Sequence, residues 1–231
     1  MIIERHRQVQ HIAKKVLDEL LMRISEEDTE YSIAEKATAL LSAKGIRDTW
    51  YYDCPALVLL GARSCLSISG REYVPGRREQ VGKHNLVTVD LSPSIDNVWG
   101  DCARSFYIED GHCRNMPQTH AFSGGAMFQW RLHKSLLDFA TPATTFEELY
   151  RFGNTQIEAA GFLNLDFHKN IGHSIESHIE KRCFIEDGNT RCLGESPLFT
   201  FEPHIRTKEG QWGFKHENIY YFNQSGHLEE L

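Results

Sequence analysis

The sequence predicts an α+β fold, because amphipathic helical stripes and short, mostly antiparallel strand runs follow one another in mixed order along the chain. Hydrophobic residues make up 41% and charged residues 25% of the 231 positions, ordinary globular values that allow a sizeable core. With no low-complexity linker and no internal repeat, residues 1–231 are expected to form a single domain.

From about Arg7 to Ser25, the residues Val9, Ile12, Ala13, Val16, Leu17, Leu20 and Leu21 recur at spacings of three and four, which predicts a helix. A second helix is predicted from about Tyr31, with Ser32 as its cap, Ile33, Ala37, Leu40 and Leu41 on its apolar face and Gly45 as its stop. Ala56 to Leu60 and Leu66 to Ser69 read as short strands ended by glycine. Leu86 to Leu91 is a β-branched run that breaks at Ser92-Pro93-Ser94, and a partner strand is expected from about Trp99 to Ile108, making a hairpin-like pair. Two more helices are predicted over Met127 to Phe139 and Thr145 to Ala160, the latter capped by Thr144 or Thr145. Short strands near Gly172 to Ile175, Phe199 to Phe201 and Glu217 to Phe222 follow, and Asn223 to Gly226 is a closing turn.

A net charge of -7 with no basic run argues against nucleic acid as a partner. Met1 to Arg7 contains no apolar run of signal-peptide length and no stretch is long enough to span a membrane, so a cytoplasmic location without membrane association is expected. The six cysteines are scattered without a CxxC pair, which points to free thiols rather than a zinc site or disulfide framework.

Aspartate is a poor strand former, so Asp90 at the end of one strand and Asp101 at the start of the next break local preference, as functional residues often do. Strand periodicity puts Leu86, Thr88 and Asp90 on one face of their strand, as it does Asp101, Ala103 and Ser105 on theirs, so a hairpin is expected to bring both carboxylates to one pocket. Downstream, His173, Glu202 and Glu217 each sit beside an apolar strand-like run. Taken singly, each of the five also fits a strand-end or surface residue.

Taken together, they resemble the pita-bread metallopeptidases, a family that includes methionine aminopeptidase, aminopeptidase P, prolidase and the related creatinase. The resemblance lies in Val87-Thr88-Val89-Asp90-Leu91, Gly100-Asp101-Cys102-Ala103-Arg104-Ser105-Phe106, Gly172-His173-Ser174-Ile175, Phe201-Glu202-Pro203 and His216-Glu217-Asn218, which hold Asp, Asp, His, Glu and Glu in the family's order. It covers roughly residues 5 to 230. It implies the pita-bread fold, an antiparallel curved sheet flanked by helices.

The resemblance further implies two divalent cations bridged by Asp101 and Glu217, with Asp90 completing one and His173 and Glu202 the other. Crowded carboxylates need such cations to offset their repulsion, and oxygen ligands with one imidazole suit Mn²⁺, Co²⁺, Fe²⁺ or Zn²⁺. The implied reaction is hydrolysis of a short peptide by hydroxide bridging the metals, with Glu202 shuttling the proton and His178 polarising or orienting the substrate. The expected activity is that of an aminopeptidase or Xaa-Pro-type dipeptidase. Partners are then a short peptide substrate and, as an open alternative to a monomer, a second copy in a homodimer.

The chain departs from the family pattern at several points. His178 lies five residues beyond His173, closer than its family counterpart. The region where a substrate-side histidine normally precedes the first aspartate is Ser69 to Tyr73, with Glu72 as a candidate contact for a substrate amine. Lys215 stands where proline-directed relatives carry arginine, and no counterpart of the large amino-terminal domain of aminopeptidase P and prolidase is expected. Two alternatives follow: creatinase-like hydrolysis of a non-peptide amide, and a non-catalytic binding module on the same fold.

Overall fold

A computed structural model describes residues 2–231. Helix α1 spans Ile2–Leu21 and α2 spans Glu30–Ala43. Strands β1 (Asp48–Thr49), β2 (Ala56–Leu60), β3 (His84–Leu91), β4 (Pro93–Ile95), β5 (Val98–Trp99), β6 (Cys102–Glu109) and β7 (His112–Arg114) follow. After α3 (His120–Phe139) and α4 (Phe146–Ala159) come β8 (Phe162–Asn164), β9 (Phe199–Phe201), β10 (His204–Thr207), β11 (Phe214–Lys215), β12 (Asn218–Phe222) and β13 (Leu228–Glu230). All strand pairs are antiparallel, in a sheet of order β2-β3-β6-β7 and three three-stranded sheets, β1-β4-β5, β8-β10-β11 and β9-β12-β13.

The two faces of β3 explain where the core and the site lie. Val87, Val89 and Leu91 pack with Val9, Val16, Leu20, Ile33 and Leu41 under α1 and α2, and burying each such side chain is worth about 1.5–3 kcal/mol. The alternate residues turn the other way: Leu86 joins a second core beneath α3 and α4, while Thr88 and Asp90 line a cavity. The register sets Asp90 opposite Ala103 and Thr88 opposite Ser105, so the face expected from strand periodicity is the face observed.

Several boundaries differ from the sequence expectation. Helix α1 begins five residues earlier, where His6 joins its buried edge, and ends at Leu21. The cap of α2 is Thr29, and Ser32 is instead the third residue of the same capping box. Thr145 caps α4 through a reciprocal box with Glu148. Helix α3 starts at His120, seven residues before the predicted start, because its two glycines at 124 and 125 do not stop it; Gly125 packs against the Phe214 ring. Leu66 to Ser69 is not a strand but the exit of a single turn of 3-10 helix, and its side chains border the cavity instead of pairing in a sheet. The 172–175 run makes only isolated bridges, His173 with Phe184 and Ser174 with Phe199. The loop between Asp90 and Asp101 is itself a small hairpin, β4 and β5, turning at Asp96 and Asn97, both with positive φ as a two-residue turn requires.

All six cysteines are free. No helix among the described residues is long and apolar enough to cross a membrane.

Candidate metal centre

Asp90 is the penultimate residue of β3, paired with Leu57 of β2 and Ala103 of β6, and Asp101 immediately precedes β6. Gln10 of α1 clamps the second of them. Its Nε2 donates to the Asp101 carbonyl at 2.7 Å, and the Asp101 N–H donates to its Oε1 at 2.8 Å. One turn earlier on the same helix edge, His6 Nδ1 lies 2.8 Å from the Trp99 carbonyl. The first helix thus holds the backbone that carries Asp101.

Glu217 sits between β11 and β12, and its N–H donates to the Ala103 carbonyl of β6 at 3.0 Å. Arg104 Nη1 donates at 2.7 Å to the Glu217 carbonyl, fixing the peptide from the other side. Asp90, Asp101 and Glu217 each offer an oxygen within 4.8 Å of the others.

His173 and Glu202 approach from the other half of the molecule. The His173 N–H donates to Thr200 Oγ1 at 3.0 Å, while the Thr200 N–H donates to the His173 carbonyl at 2.7 Å. Gly172 permits this close pairing: its φ is +149°, and a Cβ there would stand 2.2 Å from the Thr200 carbonyl oxygen. The His173 Nδ1–H donates to the Ser174 carbonyl at 3.0 Å, which leaves Nε2 as a lone-pair donor 3.4 Å from Asp101 Oδ2 and 3.7 Å from Glu202 Oε1. Burial, with help from Arg182, pushes the His173 pKa down to about 3, so the ring is neutral.

Asp101 Oδ2 and both oxygens of Glu217 are buried without a hydrogen-bond partner, which is costly for carboxylates unless cations face them. Burial first, and then the neighbouring carboxylates, raises Asp101 and Glu217 well above the usual carboxylate range. Four acids, three orphaned oxygens and one neutral imidazole with a free nitrogen fit divalent metal ions. One cation is already present in the chain. Lys215 Nζ lies 2.6 Å from Asp90 Oδ2, 3.1 Å from Glu202 Oε2 and 4.0 Å from Glu217 Oε2. Burial alone would push this ammonium down, but Asp90, Glu202, Glu217 and Asp166 together outweigh it and hold its pKa well above the ordinary value.

The five expected ligands therefore converge. Glu72 lies apart from them, exposed at the rim of the same cavity of about 600 Å³. His178 is not in the cavity: it is exposed and precedes a short 3-10 turn, because the chain between His173 and Cys183 turns outward there. Sequence reasoning missed Arg182, Trp50, Tyr51 and His204, which all line the cavity. His204 had a signal, since it lies two residues beyond Glu202; its buried ring contacts the Ser64 carbonyl at 2.6 Å and burial lowers its pKa to about 4.

The model of the metallopeptidase family M24 matches residues 4–224. The chain belongs to that family. The M24 fold is also what solved structures share with it. An X-Pro aminopeptidase from Thermotoga maritima has a TM-score of 0.80 at 19% identity, covering 99% of this chain and 60% of its own. A prolidase from Pyrococcus horikoshii has a TM-score of 0.80 at 18% identity, again with 99% and 60% coverage. A methionine aminopeptidase from Rickettsia prowazekii has a TM-score of 0.77 at 13% identity, with 99% and 96% coverage. The M24 chain thus spans about 60% of the length of the aminopeptidase and prolidase structures, and nearly all of the methionine aminopeptidase. None of the curated proteins matches it in sequence. The pita-bread fold expected from the five segments is the fold that the M24 chain has.

Proposed function

We propose that this M24 chain is a metal-dependent peptidase that cleaves short peptides, as an aminopeptidase or dipeptidase, with Asp90, Asp101, His173, Glu202 and Glu217 holding two divalent cations. The observation that carries this reading is the set of orphaned, buried carboxylate oxygens of Asp101 and Glu217 facing the free Nε2 of His173. Bound divalent metal supplies Lewis acidity, which polarises an amide carbonyl and acidifies water to near-neutral pKa.

The chain's own groups supply the remainder. Asp101 and Glu217 would hold the ions through their buried, unpartnered oxygens, and the Gln10 and Arg104 clamps fix the backbones that carry them. Glu202 takes and returns the proton: burial raises its pKa above the ordinary carboxylate value, and the Thr200 hydroxyl donates to its Oε1 at 3.4 Å while Lys215 stands at Oε2. Glu72, which lines the same cavity, would meet a substrate amine, and the apolar side chains of Leu57, Leu59, Leu66 and Ile68 would exclude water from a bound side chain. His178, exposed outside the cavity, is not assigned a role in this chemistry.

The test is digestion of a short-peptide library by protein reconstituted with Mn²⁺, Co²⁺, Fe²⁺ or Zn²⁺, beside metal analysis of the purified protein. Bound metal with release of single residues or dipeptide cleavage is the expected result. Metal-free protein that no added ion activates on any peptide would refute it.

A further inference from the structure

Gly125, Gln129 and His133 are buried residues of α3 that follow one another at four-residue spacing and so share one edge of the helix. That edge rests on the segments that carry the centre. A Cβ at Gly125 would stand 2.5 Å from the Phe214 ring, so the helix backbone lies directly on β11. One turn on, Gln129 Nε2 donates to the Pro203 carbonyl at 2.5 Å and to the Phe214 carbonyl at 2.9 Å. A further turn on, His133 Nε2 lies 3.1 Å from the His216 carbonyl. Both hydrogens of the Gln129 amide are spent on carbonyls, which fixes its orientation, because the reverse would set an oxygen against two oxygens. Its Oε1 is buried without a partner, so the hydrogen bonding of this side chain goes wholly into joining two strands.

The gripped carbonyls are next neighbours of the chemistry. Pro203 follows Glu202, and Phe214 precedes Lys215. The β10–β11 ladder pairs His204 with Lys215 and Ile205 with Phe214, and Pro203 has no N–H with which to extend it, so its carbonyl takes a donor from outside the sheet. On the two segments tied in this way, Lys215 Nζ meets Glu202 Oε2 at 3.1 Å. Both side chains are long and rich in rotamers, so a fixed meeting point requires fixed backbones beneath it. Gln10 holds the single peptide of Asp101, whereas Gln129 bridges two segments. We infer that Gln129 is a positioning residue, which clips the Pro203 backbone to that of Phe214 and thereby sets the Glu202 carboxylate against the Lys215 ammonium. The inference rests on the proposed metal centre for the part Glu202 plays in the reaction.

The test is a double-mutant cycle on the metal-free protein, read as urea midpoints in chelator for wild type, Gln129→Met, Lys215→Met and the double variant. Gln129→Met keeps the length of the side chain and removes both donors. Lys215→Met lowers the midpoint of wild type, and in the Gln129→Met background the same replacement is expected to lower it by about half as much or less. Gln129→Asn, one methylene shorter and unable to span both carbonyls, is the second variant should Gln129→Met not fold, and the same result is expected of it. Ile157→Val trims the same core without touching either carbonyl and leaves the Lys215→Met shift at its wild-type size. A spectroscopic readout accompanies the cycle: the visible absorption band of Co²⁺-loaded protein moves in Gln129→Met and stays in place in Ile157→Val. An equal Lys215→Met shift in both backgrounds, or an Ile157→Val variant that reduces the shift as much as Gln129→Met does, would overturn the inference and leave Gln129 a packing residue. The cycle needs neither metal nor substrate, so the two readings fail separately. Peptide turnover without coupling in the cycle defeats Gln129 alone, and coupling without turnover of any peptide defeats the peptidase reading alone.

Discussion

Lys215 Nζ lies 2.6 Å from Asp90 Oδ2, which puts a fixed ammonium inside a cage of metal-ligating type. A divalent ion entering that cage meets both the carboxylates that attract it and a cation that already neutralises part of them. Lys215→Met is therefore expected to bind Mn²⁺ about tenfold more tightly than wild type, while the metal-free variant loses about 1–3 kcal/mol because Asp90 and Glu202 are left without their partner. Calorimetric titration with Mn²⁺ and urea denaturation in chelator check the two effects. Unchanged affinity with unchanged metal-free stability would contradict them.

Asp101 Oδ2 and both carboxylate oxygens of Glu217 are buried without a hydrogen-bond partner, and the proposed centre would draw on them. Asp101→Asn and Glu217→Gln keep the shape and remove the charge, and each is expected to lower bound metal from the wild-type content to near none. Elemental analysis after dialysis gives the answer, and wild-type metal content in either variant would contradict the ligand assignment.

Gln10 touches no ligand atom, yet it holds the Asp101 peptide by two hydrogen bonds. Gln10→Ala leaves a buried N–H and C=O unpaired, at a cost of about 2–3 kcal/mol in stability. A weaker metal affinity is expected alongside, since Asp101 loses its backbone support. A fall in stability with no change in metal affinity would limit Gln10 to packing.

Gly172→Ala drives a Cβ to 2.2 Å from the Thr200 carbonyl oxygen at a φ of +149° that alanine rarely adopts. The expected loss is about 3 kcal/mol or more, with His173 displaced from Asp101. Thermal melts and metal content report the two consequences, and a wild-type melt would show that the 172–175 segment relaxes freely.

His133 of α3 is buried between the Tyr220 hydroxyl at 2.7 Å and the His216 carbonyl at 3.1 Å, and burial pushes its pKa down to about 3 from 6.5. Its folded form stays neutral while the unfolded chain takes up a proton below 6.5, so it subtracts stability as pH falls from 6.5 toward about 3. His133→Gln is less stable at neutral pH because the imidazole contacts are lost, and its deficit relative to wild type shrinks through that window. Urea midpoints at pH 7, 6, 5 and 4 follow the difference, in which the other titrating groups cancel; a constant deficit would contradict a neutral buried ring.

The parts of the fold and centre that could be read in the sequence were those carried by periodicity. The stripe of α1, the alternation of β3 and β6, and the Thr145 cap are local patterns, and they placed Asp90 on the face where it is found. Lys215 and His204 follow the same two-residue rule from Glu217 and Glu202, so their presence in the cavity was within reach. Gln10 and Arg182 were not. Their positions come from contacts with Asp101, Trp50 and Phe184 that no local pattern encodes, and the outward turn at His178 depends on how the 174–183 segment pairs with itself. Leu66 to Ser69 differs from its expected strand for the same reason: its side chains serve as cavity wall, a role that depends on distant parts of the chain.

The clamp between Gln10 and Asp101 joins positions 91 residues apart, and the last carboxylate to arrive is Glu217. During synthesis, the first helix leaves the ribosome long before it has an aspartate to hold, and Asp90 and Asp101 wait for more than a hundred residues before Glu217 can face them. A site that needs Glu217 is consequently complete only after β11 and β12 have been made, and a chain stopped before Lys215 carries neither the internal cation nor the last of the clustered carboxylates.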